Sequence, residues 1–467
     1  MKQRSAIAFV LVVLLFVTCR KRDAALPDNF VIFESGAQGL SETENSIDVK
    51  LKLLRAADSD AAITINLTPE HTTYGAEFTT LPDATSGSLT VAVPAGSSEV
   101  SFTVAKTAGV LFDGDEKVIF DIQSAAAPVS IGIGRQFTLS FAEIIANASS
   151  ATIDGGGPTY PNKVFVDLSA NRQTPVVRTG WDLGFYTGND DYRVILNSSS
   201  AMMAKQIDKN DLNQVTAADT VGFSTDVAFS QFAPTTASLV YIDYPNGDLT
   251  KTAIAAISAT DADNKVYIIN RGLGIGTPAP SRGWKKIRII RSASGGYTLQ
   301  QADIEATLFS SVDIEKDDAY FFKYIKFENG AVNVEPGKNK WDFAWTYFSN
   351  VTNFGSGEVP YLFQDIIVKN RNVEVAKVLM SVKPFEDFNE ASLTDVSLML
   401  TWNSSQTAIG SDWRSGGGPG TAPSVRTDRY YVIKDGDNNY YKVRFTALTQ
   451  NGERGYPVYE SVLVKKG

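Results

Sequence analysis

A tryptophan–aspartate pair that occurs twice is the sequence feature that most constrains the fold of this chain. Trp181 and Asp182 begin a run of apolar residues, and Trp341 and Asp342 begin a similar run 160 residues later. Each pair is followed by an apolar strand-like run that ends in glycine, a basic–apolar run and a Gly-Tyr pair. In the two copies these signals lie at residues 267–272 and 431–436, 284–289 and 440–445, and 296–297 and 455–456. Their constant order and near-constant spacing indicate a tandem duplication.

The composition favours packed β-structure. Apolar residues make up 43% of the 467 residues, and helix-like periodicity is scarce. Aromatic and β-branched runs separated by Gly, Asn, Asp and Ser predominate, which predicts an all-β protein of about three domains. The net charge of −9 argues against a nucleic-acid partner, because a phosphate backbone requires a concentrated basic surface. The basic run at 282–291 alternates as a solvated strand face does.

The chain contains one cysteine, Cys19, and one histidine, His71. An intramolecular disulfide is therefore impossible, and a zinc site of the Cys/His kind is excluded by number. His71 precedes both repeats, so the repeats cannot hold a Ser-His-Asp triad or a Cys-His pair. We expect a protein that is not an enzyme. A glycosidase that uses two carboxylates about 5–10 Å apart stays open as an alternative.

Residues 1–19 are expected to be an export signal. Lys2 and Arg4 form a basic start, and residues 6–17 form an apolar stretch that is short for a membrane span. The stretch ends at Thr18 and Cys19, which resembles a bacterial lipoprotein signal, in which the cysteine becomes the lipidated N-terminus. This predicts a protein anchored by lipid to the outer membrane, with residues 20–28 as a tether. Whether it faces the periplasm or the cell surface stays open.

Residues 29–145 predict a β-sandwich. Alternating strand-like runs recur every 10–15 residues or so, with turn residues between them. The region resembles the Calx-β family in residues 74–78 (YGAEF) and in the acidic run that precedes residues 117–120 (KVIF). The resemblance implies Ca²⁺ at the end of the sandwich, held by carboxylates of the kind that Ca²⁺ prefers. The candidate calcium ligands are Glu42, Glu44, Glu77, Asp113, Asp115 and Glu116.

A Gly- and Ser-rich segment at 146–159 is predicted to be a linker, followed by repeat 1 at 160–310 and repeat 2 at 311–467. In repeat 1, strand alternation places the side chains of Trp181, Leu183 and Phe185 on a core face. Asp182 lies on the opposite face, where it would cap a turn or pair with Arg178.

Both repeats resemble the HmuY family of haem-binding outer-membrane lipoproteins. The residues that carry the resemblance are the Trp-Asp runs, residues 192–197 (YRVILN), Asp435 with Gly436, and residues 442–445 (KVRF). It covers about 160–467 and implies an all-β fold. With the sandwich predicted at 29–145, the whole chain is expected to be a β-sandwich followed by two tandem HmuY-like units. The resemblance also implies a lipid anchor and the capture of haem from haemoproteins for a TonB-dependent receptor.

Haem ligation in this family uses histidine or, in some relatives, methionine, and neither repeat contains histidine. Because iron accepts a thioether as axial ligand, the resemblance makes Met202 and Met203 the candidate haem ligands. Met380 and Met399 are weaker candidates, because both lie in apolar patterns typical of core strands. A binding protein without haem, which recognises a receptor, glycan or peptide, is the alternative function.

Overall fold

The structure, a computed structural model, describes residues 27–467 except 42–43, 85, 109, 111–115, 142–147, 224–235, 356 and 417–421. It divides into two compact units, residues 1–143 and 144–467. The described part of both units is built from β-strands with short 3₁₀ turns, so the predicted all-β class is confirmed. No helix in the described ranges has the length and apolar character needed to cross a bilayer.

The N-terminal unit is the predicted β-sandwich. One sheet has the order β5-β7-β3-β1-β9 and the other β2-β10-β8-β4-β6. Inward side chains alternate with outward ones, and Phe102 of the first sheet packs on Phe120 of the second with ring centroids 5.1 Å apart. The strands are β1 Asn29–Phe33, β2 Ala37–Gly39, β3 Ser46–Leu53, β4 Ala61–Glu70, β5 Phe78–Leu81, β6 Ser88–Val93, β7 Glu99–Lys106, β8 Lys117–Ala125, β9 Val129–Ile131 and β10 Gln136–Ser140.

The C-terminal unit contains both repeats. Repeat 1 and the segment before it contribute β11 Ala148–Thr152, β12 Asn162–Asp167, β13 Arg172–Val177, β14 Leu183–Tyr186, β15 Val194–Leu196, β16 Met203–Ile207, β17 Val266–Asn270, β18 Trp284–Arg291, β19 Tyr297–Asp303 and β20 Ser310–Ile314. Repeat 2 contributes β21 Phe322–Lys326, β22 Gly330–Val332, β23 Phe343–Asn353, β24 Glu358–Lys369, β25 Glu374–Leu379, β26 Trp402–Asn403, β27 Arg414–Ser415, β28 Ser424–Val425, β29 Arg429–Lys434, β30 Tyr440–Gln450 and β31 Glu453–Lys465.

Eight 3₁₀ turns complete the described secondary structure of this unit. They are Ser198–Ser200, Leu212–Gln214, Ala217–Thr220, Thr236–Tyr241, Leu249–Lys251, Asp261–Asp263, Glu390–Leu393 and Val396–Leu398. Most of them lie in the two long connections β16–β17 and β25–β26, which occupy the same place in the two repeats.

The two repeats are interleaved. One four-stranded sheet, β13-β12-β23-β24, joins the first hairpin of repeat 1 to the central strands of repeat 2, and the sheet β15-β14-β21-β22 makes the reciprocal exchange. The two larger sheets are completed in a similar way, because β11, which precedes repeat 1, pairs with β31 of repeat 2, and β20, which lies at the boundary before the other strands of repeat 2, pairs with β19 of repeat 1. The segment predicted as a linker thus holds a strand, β11, whose backbone is paired to the end of repeat 2.

The exchange places the Trp-Asp pairs at equivalent positions. Leu183 lies opposite Ile325 in one sheet, and Phe343 lies opposite Val166 in the other. Asn197 and Asn370 fix the turn before each pair, because each side-chain amide donates to the carbonyl of the repeat's own tryptophan, at 2.8 Å in both copies. The duplication inferred from the sequence therefore corresponds to two Trp-Asp pairs at equivalent positions of the fold.

Candidate functional site

A cavity of about 80 Å³, partly open to solvent, lies between the two repeats. Its wall includes both repeated tryptophans, so we name it the inter-repeat cavity. Five pairs of equivalent positions line it: Trp181 and Trp341, Ile195 and Val368, Lys163 and Phe322, Leu196 and Lys369, and Ser198 and Arg371.

The repeats have diverged around this cavity in a way that adds charge. In three of the pairs one repeat supplies an apolar or small side chain and the other a cation, namely Lys163, Lys369 and Arg371. The Arg371 guanidinium donates to the carbonyl of Gly247 at 3.0 Å and lies 5.9 Å from the centre of the Phe322 ring. Near-symmetric backbone therefore carries an asymmetric lining, in which these three cations share the wall with the carboxylates of Asp243, Asp248 and Glu335.

Both tryptophans in the wall have an unused hydrogen-bond donor. The side chains of Trp181 and Trp341 are only 3% and 6% exposed. Neither indole Nε1 has an acceptor among the residues that the structure describes. A buried N–H without an acceptor is unfavourable by about 1–3 kcal/mol.

Burial shifts the titration of the charged groups that line the cavity. It lowers the pKa of Lys369 to about 8 and raises the pKa of Asp243 to about 7. Asp243 accepts hydrogen bonds from the backbone N–H of Leu196 at 2.7 Å and of Ala253 at 2.9 Å.

A second carboxylate of the wall, Glu335, lies in the field of Lys163. Burial lowers the pKa of Lys163 and raises that of Glu335, and the opposite charge of each partner reduces both shifts. Glu335 accepts from the Phe322 N–H at 2.9 Å and the Tyr324 hydroxyl at 3.0 Å. Asp243 and Glu335 therefore both hold the wall of the cavity together through hydrogen bonds to the protein.

The two repeated aspartates lie in opposite electrostatic environments. Asp182 is fully buried and pairs with Arg271 at 2.9 Å and with Arg282 at 2.8 Å. Arg178, the partner predicted from sequence, instead donates to three backbone carbonyls, including that of Gly274. The predicted pairing was wrong because the true partners lie about a hundred residues further along the chain.

Asp342, the second copy, has acidic neighbours. Burial, reinforced by the nearby carboxylates of Asp167 and Asp435, raises its pKa well above the ordinary value. One of its oxygens accepts the Leu168 N–H at 2.7 Å, just as Asp182 accepts the Phe327 N–H at 3.0 Å. Asp435 occupies the position of Arg271 in the other repeat, which explains why the two copies differ.

The candidate haem ligands lie in protein cores. Met202 and Met203 are each 1% exposed and pack in two different apolar clusters. Neither lines the inter-repeat cavity. Met380 is partly buried beside a third cluster, whereas Met399 is 82% exposed after a 3₁₀ turn and not in a core strand as expected.

The candidate calcium ligands are only partly described. Glu42, Asp113 and Asp115 lie outside the described residues. Glu44 accepts from the Ser41 N–H and hydroxyl, Glu77 accepts from the Thr73 N–H, and Glu116 is buried. Within the described ranges, no group of three or more His, Cys, Asp or Glu side chains is arranged to hold a metal ion. The calcium prediction therefore gains no support here.

Apart from the two repeated tryptophans, the residues of the inter-repeat cavity were not predicted from the sequence. The signal that could have found them is the comparison of the two repeats, position by position. Lys163, Lys369 and Arg371 each replace an apolar or small residue of the other copy. The two copies were identical at these positions when the duplication arose. The cations therefore indicate that the repeats have diverged under a new role.

The fold and the interleaved repeats define a protein of two tandem β units joined to a sandwich. The chain belongs to the HmuY protein family, which it matches over residues 159–313 and 317–460. No curated protein matches the sequence.

Three solved structures are similar to the chain at low identity. One, from Bacteroides vulgatus, is described as a putative HmuY-like heme binding protein; identity is 9%, with 69% of this chain and 94% of that chain covered and a TM-score of 0.19. The apo form of the Calx CBD1 domain gives 15% identity, coverage of 25% and 97%, and a TM-score of 0.22. A structure from Bacteroides ovatus, described as a putative carbohydrate binding protein, has 10% sequence identity to this chain. The match covers 73% of this chain and 98% of that chain, with a TM-score of 0.17.

Proposed function

We propose that this chain is a binding protein, not an enzyme, and that its ligand occupies the inter-repeat cavity. The observation that carries the proposal is the cavity itself, which lies between the two repeats, includes both repeated tryptophans in its wall and is lined by Lys163, Lys369 and Arg371. Perturbed acids and bases in a concave site are typical of functional sites. Here Asp243 and Glu335 accept hydrogen bonds from the protein itself, which favours binding over acid–base catalysis.

Haem is the ligand that the family resemblance suggests, and we tested whether the residues fit it. Axial ligation needs a donor that faces an open, planar space. Met202 and Met203 are enclosed in separate cores, and no methionine or histidine lines the inter-repeat cavity. A cavity of about 80 Å³ is also far smaller than the several hundred Å³ of a site for a large ligand. The residues proposed as ligands therefore do not fit haem, and transfer of haem to a TonB-dependent receptor rests on family membership alone.

The proposal is tested by filling the cavity. Ser198 lines it at the position where repeat 2 carries Arg371, so the site tolerates a large side chain. We expect Ser198→Phe to abolish the binding of small aromatic probes (benzoate, phenyl phosphate, benzyl alcohol and benzylamine) in calorimetric titrations. Ser311→Phe, on an exposed strand position, is the matched control and should bind like the wild type.

Two results would contradict this proposal. The first is the same probe binding in Ser198→Phe as in wild type, or no binding of any probe. The second is a haemin spectrum in the wild type that is lost in a Met202→Leu/Met203→Leu variant, which would return haem to these two residues.

We also propose that the protein is anchored to the outer membrane through a lipidated Cys19, which lies outside the described residues. The support is the short apolar stretch that ends at the only cysteine of the chain. Two or more acyl chains hold a protein stably on a membrane, whereas one holds it reversibly. Cys19→Ser is expected to move the protein from the membrane fraction to the soluble fraction. Retention of that variant in the membrane fraction would show that another segment anchors the chain.

A further inference from the structure

We infer that the inter-repeat cavity binds the anionic end of its ligand, a carboxylate or a phosphate, while the rest of the ligand extends through the opening. The inference rests on the proposed function and adds the chemical class of the ligand. Its basis is the set of three cations that line the cavity, Lys163, Lys369 and Arg371.

The donors in the wall match an anion. A carboxylate or phosphate offers acceptors only, and the side chains of the two lysines and the arginine in the wall offer donors only. Hydrogen bonds to an ionised acceptor are roughly twice as strong as neutral ones. The Trp181 ring contacts Tyr324 at 4.8 Å and the Trp341 ring contacts Phe165 at 4.9 Å, so packing holds both rings in place. Such a pre-formed wall reduces the entropy lost on binding.

The size of the cavity limits what it can enclose. An apolar cavity of about 150 Å³ accommodates benzene. At about 80 Å³, the inter-repeat cavity accommodates a group of a few heavy atoms, such as a carboxylate or phosphate. Aromatic side chains, including Phe322 and Phe348, form part of the remaining wall. They suit a ligand with an apolar or planar part next to its anionic group.

The charge of the wall falls as the pH rises. Below about pH 7 the three cations are charged, and the carboxyls of Asp243 and Glu335, whose pKa values are raised by burial, are largely neutral. Above about pH 8 the lysines, whose pKa values are lowered by burial, lose their protons while the carboxyls are ionised. The other titratable groups of the wall are Tyr244, Tyr324 and Asp248. The pKa values of both tyrosines are raised, so they stay neutral, and the pKa of Asp248, at the rim, is lowered. Anion affinity should therefore decrease from pH 6 to pH 9.

The experiment uses the full chain and calorimetric titration with four probes of similar size. Benzoate and phenyl phosphate are anionic, benzyl alcohol is neutral and benzylamine is cationic. We expect an anionic probe to bind at least about tenfold more tightly than the neutral and cationic probes at pH 6, a difference of about 1.4 kcal/mol. The stronger of the two anions identifies a carboxylate or a phosphate as the natural group.

Variants locate the effect. Lys369→Gln/Arg371→Gln should reduce anion affinity at least about tenfold. The charge-preserving Lys369→Arg/Arg371→Lys should retain most of it. Lys377→Gln/Lys383→Gln, which removes two lysines that do not line the cavity, controls for net charge and should bind like the wild type.

The possible outcomes distinguish failure of the anion inference from failure of the proposed binding function. If benzyl alcohol or benzylamine binds as tightly as the anions, and Ser198→Phe blocks it, the cavity is a binding site but the anion inference is wrong. If the surface control weakens benzoate as much as Lys369→Gln/Arg371→Gln does, the effect is general electrostatics and the inference is also wrong. If no probe binds, the proposed function itself fails.

Discussion

Replacement of either repeated tryptophan by alanine is expected to lower the free energy of unfolding of the C-terminal unit by about 3–5 kcal/mol, the range for large aromatic deletions from cores. The two costs should agree to within about 1 kcal/mol, because the two sites are equivalent. Trp181 and Trp341 pack in one apolar cluster, and each makes an edge-to-face contact, at an interplanar angle of 79°, with an aromatic ring from the other repeat.

The measurement is denaturant unfolding followed by tryptophan fluorescence. All six tryptophans lie between residues 181 and 413, so the signal reports on the C-terminal unit alone, and each variant keeps five of them. Trp402, half-buried on Tyr440 at 5.8 Å, is the control, and Trp402→Ala should cost clearly less. A difference of more than about 2 kcal/mol between Trp181→Ala and Trp341→Ala would show that the sites are not equivalent.

The local features of this fold could be predicted from the sequence. Alternation of apolar residues predicts the strands of the sandwich, and the repeated motif predicts two buried tryptophans in equivalent positions. These features depend on side chains close to one another in the chain, where a period of two residues is visible. Both tryptophans are buried, as expected.

The pairing of strands between the repeats could not be predicted in this way. The strand at Asn162–Asp167 is bound to Phe343–Asn353, across a separation of about 180 residues, and no local pattern specifies that register. The same limit explains the error at Asp182. Its nearest cation in sequence is Arg178, but the fold brings Arg271 and Arg282 to it from the second half of the repeat.

The methionine hypothesis was limited by a related problem. Met202 and Met203 follow a short polar turn, which is typical of an exposed loop. In the fold, Met203 is the first residue of a strand and lies opposite Asn270 of the neighbouring strand. The Met202 and Met203 side chains pack in two different apolar clusters. Sequence indicates that a segment connects two strands, but it does not show which neighbours cover that segment.

Replacement of each repeated aspartate by asparagine should have opposite effects on the stability of the protein. Asp182→Asn is expected to lower the free energy of unfolding by about 3–5 kcal/mol, because loss of one partner leaves a buried ion pair uncompensated. Arg271 keeps Glu328 at 2.5 Å, whereas Arg282 makes its other described hydrogen bonds only to backbone carbonyls. Asp342→Asn should leave stability near that of the wild type below about pH 3.9, because a neutral amide resembles the protonated carboxyl and can still accept the Leu168 N–H.

The pH dependence separates the two aspartates further. The folded state raises the pKa of Asp342, so the folded protein binds a proton that the unfolded chain releases above its own pKa of about 3.9. The stabilising contribution of Asp342 is therefore fully present below about pH 3.9 and is lost as the pH rises towards the raised pKa. Asp342→Asn removes this loss, so the variant should gain on the wild type by up to about 1.4 kcal/mol per pH unit as the pH rises from about 3.9 towards the raised pKa. Fluorescence-monitored unfolding at several pH values measures the gain. Parallel stability curves for wild type and Asp342→Asn would mean that Asp342 is ionised in the folded protein, despite Asp167 and Asp435 beside it.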